Sequence, residues 1–179
     1  MKKTINIAFI CFLLFHLQPI HAKSTADSTK VDTTDLLKNL DMKVVPDIAT
    51  LYKVGKKYIG KWNYLFLAIK IEESGNNGKY SWLSTTHFNL CGMRYPKQRK
   101  TYAIGKTNTN YAIYRNWFES ILDFKIYLDN VDKSFFEQYK REAKDEYEMV
   151  DFLFSKFNHF AKWKTDMYSI LKQVKKKYK

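Results

Sequence analysis

One stretch near the middle of the chain limits the possible folds more than any other feature. Nearly every residue of 62–71 is apolar, and two adjacent carboxylates, Glu72 and Glu73, follow directly. A helix that is apolar on all sides belongs inside a core. Gly75 and the Asn-Asn-Gly turn behind it end the helix, because these residue types adopt positive φ at low cost. We therefore predict a central buried helix over 61–73 that carries an acid at its C-terminal end.

The remaining pattern favours helices over strands. The 179 residues suit one domain, and six Gly and three Pro are few for a turn-rich β fold. Two short runs that flank a polar turn, 101–104 and 111–114, predict a β-hairpin. Asn116 and Glu119 form a capping box at the start of a helix. The fold class is thus α+β, mainly α, with a central buried helix and a small β-hairpin. Further helices are predicted at 45–60, 116–130, from Asp132 or Ser134 to 143, 146–160 and 162–178.

The first 22 residues have the features of a secretory signal peptide. Two lysines precede an apolar run over 5–17, and Ala22 offers a small residue at the cleavage point. An uncleaved membrane anchor is the alternative, although the run is shorter than the roughly 20 residues that a transmembrane helix needs. Cleavage would lower the formal net charge from +13 to +11 and leave Cys91 as the single cysteine. We expect an exported protein, periplasmic or extracellular.

A polar segment separates this leader from the expected domain. Residues 23–42 are rich in Ser, Thr, Asp and Lys, which predicts a flexible linker with a short helix at 35–41. The domain is expected over 43–179. Its basic charge favours an anionic partner outside the cytoplasm, such as cell wall, a membrane surface or extracellular nucleic acid.

Glu73 is the first candidate for chemistry. It lies four residues after Ile69 and eight after Leu65, so its carboxyl group is expected at the edge of an apolar helix face. Burial and the negative end of the helix dipole both raise the pKa of such a group. A carboxylic acid that stays protonated near neutral pH can serve as a general acid. The alternative is a solvated pair of glutamates at a helix end.

Four motifs occur in a distinctive order from this acid onward. They are Glu-Ser-Gly at 73–75, Asn-Leu-Cys-Gly-Met at 89–93, the basic turn Pro-Lys-Gln-Arg at 96–99, and the Tyr- and Trp-containing helix entry at 111–120. Their order resembles the glucosaminidase domain of glycoside hydrolase family 73, to which flagellar wall hydrolases and autolysins belong. The resemblance covers about 62–128. Cys91 departs from it, because Phe is usual at that position.

The resemblance implies a fold, a substrate and roles for three residues. The fold would be lysozyme-like, and the central helix would carry the catalytic acid, Glu73, to a long groove. Tyr114 would be the hairpin tyrosine near that groove, which makes it the second catalytic candidate. Asn89 would brace the loop under the sugar site, and we count it among the substrate-binding residues. The implied activity is that of an endo-β-N-acetylglucosaminidase on the glycan strands of peptidoglycan.

The acids of the chain leave a long gap after the central helix. Residues 74–118 contain no Asp or Glu, whereas a two-carboxylate glycosidase needs a second acid about 5 Å or about 6.5–9.5 Å from the first. Glu119 is explained by the capping box, and Asp123 lies one turn further along the same helix. The second catalytic function is therefore expected from the acetamido group of the substrate, from a positioned water or from the phenol of Tyr114.

The same segment supplies basic and aromatic side chains for binding. The expected substrate-binding residues besides Asn89 are Trp82, Arg94, Tyr95 and Tyr111. Cations such as Arg99 would attract the carboxylates of stem peptides. For each of these residues the alternative is a solvated charge or a packed aromatic ring.

Neither a metal nor another cofactor is expected, because His87 and His159 lack the spacing of metal ligands. The expected partner is the peptidoglycan glycan strand rather than a nucleic acid. We expect a monomer with no integral membrane segment after cleavage. A lytic transglycosylase and a non-catalytic wall-binding module of the same fold are the alternatives.

Overall fold

The computed structural model describes residues 34–76, 78–156 and 160–179. The predicted signal peptide and the first part of the predicted linker lie outside them. The described residues form seven α-helices and two antiparallel sheets of two strands each, which confirms a mainly α member of the α+β class. The helices are Thr34–Lys38 (α1), Ile48–Tyr58 (α2), Asn63–Ser74 (α3), Trp82–Thr86 (α4), Trp117–Tyr139 (α5), Glu146–Lys156 (α6) and Ala161–Tyr178 (α7). The strands are Gly75–Asn76 (β1), Lys79–Tyr80 (β2), Gly105–Lys106 (β3) and Ala112–Ile113 (β4).

Helix α3 is the predicted central helix, and it is buried on nearly all sides. Leu65, Phe66 and Leu67 are inaccessible to solvent, because α2, α6 and α7 pack around them. The helix ends where the sequence predicts, since Gly75 has a φ of +81° and its N–H still bonds to the carbonyl oxygen of Ile71. In the part of the chain that the structure describes, no helix is both long and apolar enough to cross a membrane.

One charged side chain in this helix is fully buried, which the apolar pattern did not predict. Lys70 donates from Nζ to the carbonyl oxygen of Gly75. Its Nζ also lies 3.8 Å from the ring centroid of Tyr80 on β2. Burial lowers the pKa of Lys70 to about 8. The lysine thereby ties the end of α3 to the β1–β2 turn.

Helices α3 and α7 run antiparallel in the core. The Tyr64 hydroxyl, near the start of α3, donates to the carbonyl oxygen of Tyr178 at 3.1 Å. At the other end, the Trp163 indole Nε1 donates to Glu73 Oε1 at 3.0 Å. The first turn of α7 therefore lies beside the candidate acid. At 1.5 Å per residue, the last turn of α7 is about 22 Å away from it.

The domain begins earlier than the sequence predicted. Leu36, Leu37, Leu40 and Met42 pack against the core, and the Trp117 indole Nε1 donates to the carbonyl oxygen of Asp41 at 2.9 Å. The prediction of a flexible linker up to residue 42 is thus wrong from residue 34 onward. The polar composition of 23–42 concealed the leucines that anchor its second half.

The second half of the chain differs from the predicted elements in two places. The two helices predicted at 116–130 and from Asp132 or Ser134 to 143 are one helix, α5, because Phe124, Leu128, Val131 and Phe135 continue a single buried stripe. The hairpin forms with Gly105 opposite Ile113, so its first strand begins after the predicted run.

Candidate active site

An open cleft of about 770 Å³ lies at the C-terminal end of α3. Its floor contains Glu73 and the loop from Cys91 to Met93, and the basic turn around Pro96 forms one rim. Helices α5 and α6 contribute apolar side chains, and the first turn of α7 closes the opposite side with Phe160 and Trp163. Side chains from six separate parts of the chain therefore line the cleft that contains this acid.

Among the described residues that line this cleft, Glu73 is the only acid. Glu73 is an exposed residue because the cleft is open to solvent, and the protein around it desolvates its carboxyl group only in part. Burial raises the pKa of Glu73 above its ordinary value, and the hydrogen bond from Trp163 lowers it in part. The carboxyl group thus lies at the end of the apolar helix face, as predicted, with a donor that holds its orientation.

Glu72 lies outside the cleft, although it is adjacent in sequence. Burial raises the pKa of this carboxyl too. The negative charges of Asp166 and Glu73 raise it further, by smaller amounts. Consecutive helix residues project in directions about 100° apart, so the two glutamates face different neighbours. The structure therefore separates the two acids that the sequence places side by side.

The loop beside Glu73 needs a glycine for two reasons. Gly92 has a φ of +61°, a conformation that L residues with side chains rarely adopt. A Cβ atom at this position would lie 2.9 Å from Glu73 Oε2. Gly92 therefore allows the loop to turn and leaves space for the carboxyl group.

Asn89 holds this loop from beneath and does not face the cleft. Its fully buried side chain donates to the carbonyl oxygens of Met93, at 2.8 Å, and Ala112, at 2.9 Å. Its Oδ1 accepts the Met93 N–H at 2.8 Å. The expectation that Asn89 binds substrate is corrected, because no atom of its side chain is exposed. Its position agrees with the bracing role that the resemblance implied.

Tyr114 is also buried away from the cleft, which corrects its place as a catalytic candidate. Its hydroxyl donates to Asp123 Oδ2 at 2.8 Å, and only 2% of the residue is exposed. Asp123 in turn accepts two hydrogen bonds from Arg99, at 2.8 and 2.7 Å. Burial by itself would raise the pKa of Asp123, but these hydrogen bonds outweigh it and hold the pKa below its ordinary value. Tyr114 thus supports the carboxylate that positions Arg99.

Three cleft residues were missed by sequence reasoning. Tyr127 lines the cleft from α5, and burial raises its pKa well above the ordinary range, so its phenol stays protonated. Trp163 and Phe160 form the wall across from the hairpin, and Phe160 is 78% exposed. A spacing of four residues from Asp123 could have placed Tyr127 on the same face of α5. Trp163 is 90 positions from Glu73, and no local pattern joins them.

Three of the predicted substrate-binding residues do line the cleft. They are Arg94, Tyr95 and Tyr111. The Arg94 guanidinium lies 4.0 Å from the ring centroid of Tyr111 and donates to the carbonyl oxygen of Thr109. This stacking presents a flat cationic surface at the rim.

Trp82 does not line the cleft, which corrects its assignment to substrate binding. It is 63% exposed on the short helix α4 and packs edge-on against His87, with ring centroids 4.4 Å apart. Arg99, by contrast, lines the cleft, and its orientation is set by the buried Asp123.

Cys91 lies at the cleft floor as a buried thiol. Burial raises its pKa well above the ordinary value, so a reactive thiolate is disfavoured. Within the described ranges, no three His, Cys, Asp or Glu side chains cluster closely enough to hold a metal ion.

No protein-family model, no curated protein and no solved structure matches this chain. Its function therefore has to be inferred from its own residues.

Proposed function

We propose that this protein is an exported peptidoglycan hydrolase that cleaves the glycan strand as an endo-β-N-acetylglucosaminidase, with Glu73 as the general acid. The observation that carries the proposal is the position of Glu73. It is the single acid among the described residues that line the open cleft, and partial burial raises its pKa. A carboxylic acid with these properties is suited to protonating a leaving-group oxygen.

The walls of the cleft suit a glycan that carries short acidic peptides. Its volume of about 770 Å³ is large enough for several ring-sized groups. Phe160 and Trp163 on one side and Tyr111 on the other offer aromatic faces for sugar rings. Arg94 supplies positive charge for stem-peptide carboxylates, whereas the charge of Arg99 is paired with Asp123. The lysozyme-like fold and family membership implied by the sequence motifs belong to this proposal.

The proposed reaction uses one carboxyl group of the protein. Glu73 donates its proton to the glycosidic oxygen as the bond to the anomeric carbon breaks. The other described residues that line the cleft carry no carboxylate, so the positive charge that develops on the sugar is met by the substrate's own acetamido group or by a water molecule. The protonated phenol of Tyr127 replaces Tyr114 as the candidate hydroxyl for orienting that group. Hydrolysis leaves a reducing N-acetylglucosamine end.

A lytic transglycosylase is the second candidate, because that reaction also proceeds with one protein acid. It differs in its product, since an internal hydroxyl of the muramic acid replaces water and an anhydro end results. A non-catalytic wall-binding module is the third, and it would release no product. The three are therefore distinguished by what appears in solution.

The test compares two variants that differ by one position. Glu73→Gln is nearly isosteric and should lower the rate of glycan cleavage by about 10²–10⁴-fold. Glu72→Gln is the matched control, and it should retain most of the activity because its side chain lies outside the cleft. Purified peptidoglycan is digested, reduced with borohydride and analysed by mass spectrometry. N-acetylglucosaminitol ends support the proposal, whereas anhydromuramic ends favour the transglycosylase. If the unaltered protein binds peptidoglycan and releases no product, the non-catalytic wall-binding module is indicated.

A further inference from the structure

The region where α2 meets the end of α7 carries a dense set of lysines. Tyr52 of α2 stacks on Tyr178 of α7 with ring centroids 4.7 Å apart, and its hydroxyl donates to the Tyr178 carbonyl oxygen at 2.9 Å. Six exposed lysines lie on these two helices or directly after α7. They are Lys53 and Lys56 on α2 and Lys172, Lys176, Lys177 and Lys179 on and after α7. We refer to these six side chains as the lysine face.

The lysine face is not neutralised by neighbouring acids. None of its six lysines forms an ion pair with another residue that the structure describes. Helix α2 contains no acid, and α7 contains none after Asp166. Asp47 stands near Lys53 but is held by hydrogen bonds from Thr50 at the start of α2. The positive charge is therefore available to a partner.

Helix stability accounts for only part of this set. Cations in the last turn of a helix are favoured by the dipole, which explains Lys56, Lys176 and Lys177. Lys53 and Lys172 lie before the last turn of their helices, and Lys179 lies beyond α7. Lys172 and Lys176 are four residues apart on α7, so they project from the same side of the helix, and Lys179 follows directly after the helix end. Such a row matches a partner with repeated negative charge.

The chemistry of the row favours a flexible polyanion over a bilayer. Helices that lie on membranes insert Trp, Phe or Leu beside their basic residues. Among the described residues, no large exposed apolar side chain lies on α2 or on the second half of α7. The face contains only lysines, which bind phosphate groups as point charges. A chain of phosphate groups is the partner that this arrangement fits.

We propose that the lysine face is a second binding site, remote from the cleft, for a linear phosphate-bearing polyanion. Along α7 the lysines of the site lie between about 14 Å (Lys172) and about 22 Å (the last turn) from Trp163, which contacts Glu73. A polymer held there would keep the protein on a surface while the cleft remains open. This proposal depends on the charges of α2 and α7, and it stands whether or not the cleft cleaves glycans.

The test measures binding of a long-chain linear inorganic polyphosphate by the full-length protein over a range of salt concentrations. The logarithm of the affinity should fall linearly with the logarithm of salt. The triple substitution Lys172→Gln, Lys176→Gln and Lys179→Gln should make this slope shallower by about 2, because each phosphate contact on a single chain contributes about 0.7. Circular dichroism confirms that the variant is folded.

A matched triple variant controls for net charge. Lys61, Lys125 and Lys133 are each paired with an acid on another surface, and their replacement by Gln removes the same formal charge. This control should leave the slope nearly unchanged. An equal loss in both variants, or no loss in the α7 variant, would overturn the proposal. The last arm of the experiment measures binding of the same proteins to vesicles of phosphatidylglycerol and phosphatidylcholine. Vesicle binding with the same dependence on the α7 lysines would assign the face to a bilayer instead.

Discussion

Under the proposed function, the hydrogen bond from Trp163 to Glu73 should set the upper pH limit of activity. Trp163→Phe keeps an aromatic wall but removes the indole N–H that lies 3.0 Å from Glu73 Oε1. That N–H stabilises the ionised carboxylate. It therefore offsets part of the rise in the pKa of Glu73 that burial causes. Its removal should raise the pKa further. A general acid works while protonated, and the high-pH limb of the activity profile should therefore move to higher pH.

The size of this shift follows from the strength of the bond and its exposure. A hydrogen bond to a charged group contributes about 1.5–3 kcal/mol when it is buried. Because the Glu73 side chain is open to solvent on one side, we expect about 1 kcal/mol. One pKa unit corresponds to 1.36 kcal/mol, so the limb should shift by about 0.7 pH unit.

Two measurements check this prediction. The pH dependence of kcat/KM on short soluble glycans reports the pKa of the free enzyme's acid. A carbon-13 NMR titration of the glutamate carboxyl groups reports the same pKa without requiring turnover. Trp82→Phe is the matched control, because Trp82 lies outside the cleft. A limb that stays in place or moves to lower pH would refute the reasoning.

Three further changes have outcomes that the structure specifies. Gly92→Ala should lower the free energy of unfolding by about 1–2 kcal/mol through its positive φ, and it should also reduce cleavage by displacing Glu73. Gly60→Ala, at a φ of +73° with open space around it, should affect only stability. Equal activity in the two variants would contradict this. Asp123→Asn leaves a largely buried guanidinium unpaired and should cost about 3 kcal/mol in urea unfolding, and a cost below about 1 kcal/mol would show that the pair is unimportant. Lys70 has a pKa of about 8 in the folded protein and about 10.4 in the unfolded chain. Between these two pH values the unfolded chain binds more protons than the folded protein. The free energy of unfolding should therefore rise with pH across this range, by up to about 3 kcal/mol. The measurement is the free energy of unfolding of the unaltered protein minus that of Lys70→Met, followed over pH. This difference should show the rise, and a difference that stays flat or falls would exclude it.

The elements that could be predicted from the sequence depend on interactions between neighbours along the chain. The apolar run of α3 specifies a buried helix because every side of it has to be covered. Gly75 ends that helix, and Asn116 starts α5 by accepting the Glu119 N–H at 2.9 Å. The placement of Glu73 at the edge of the core follows from the same 3.6-residue repeat. These features do not depend on which elements pack together.

The parts that could not be predicted depend on contacts between distant residues. Tyr114 and Tyr127 are both tyrosines near α5, and only the packing of the hairpin decides that the first is buried on Asp123 while the second lines the cleft. Trp163 reaches Glu73 because α7 runs antiparallel to α3. No periodicity in the sequence records that pairing.

The sequence by itself thus determined the fold class, the central helix and the acid at its end, because local spacing and side-chain polarity are sufficient for these. Only the tertiary structure decided which groups surround that acid. It placed Trp163 and Tyr127 in the cleft, kept Tyr114 and Asn89 buried outside it, and stacked Tyr52 of α2 on Tyr178 of α7 at the far end of that helix. The physical reason is that a side chain's environment is set by the elements that pack against it, and those elements lie far away along the chain.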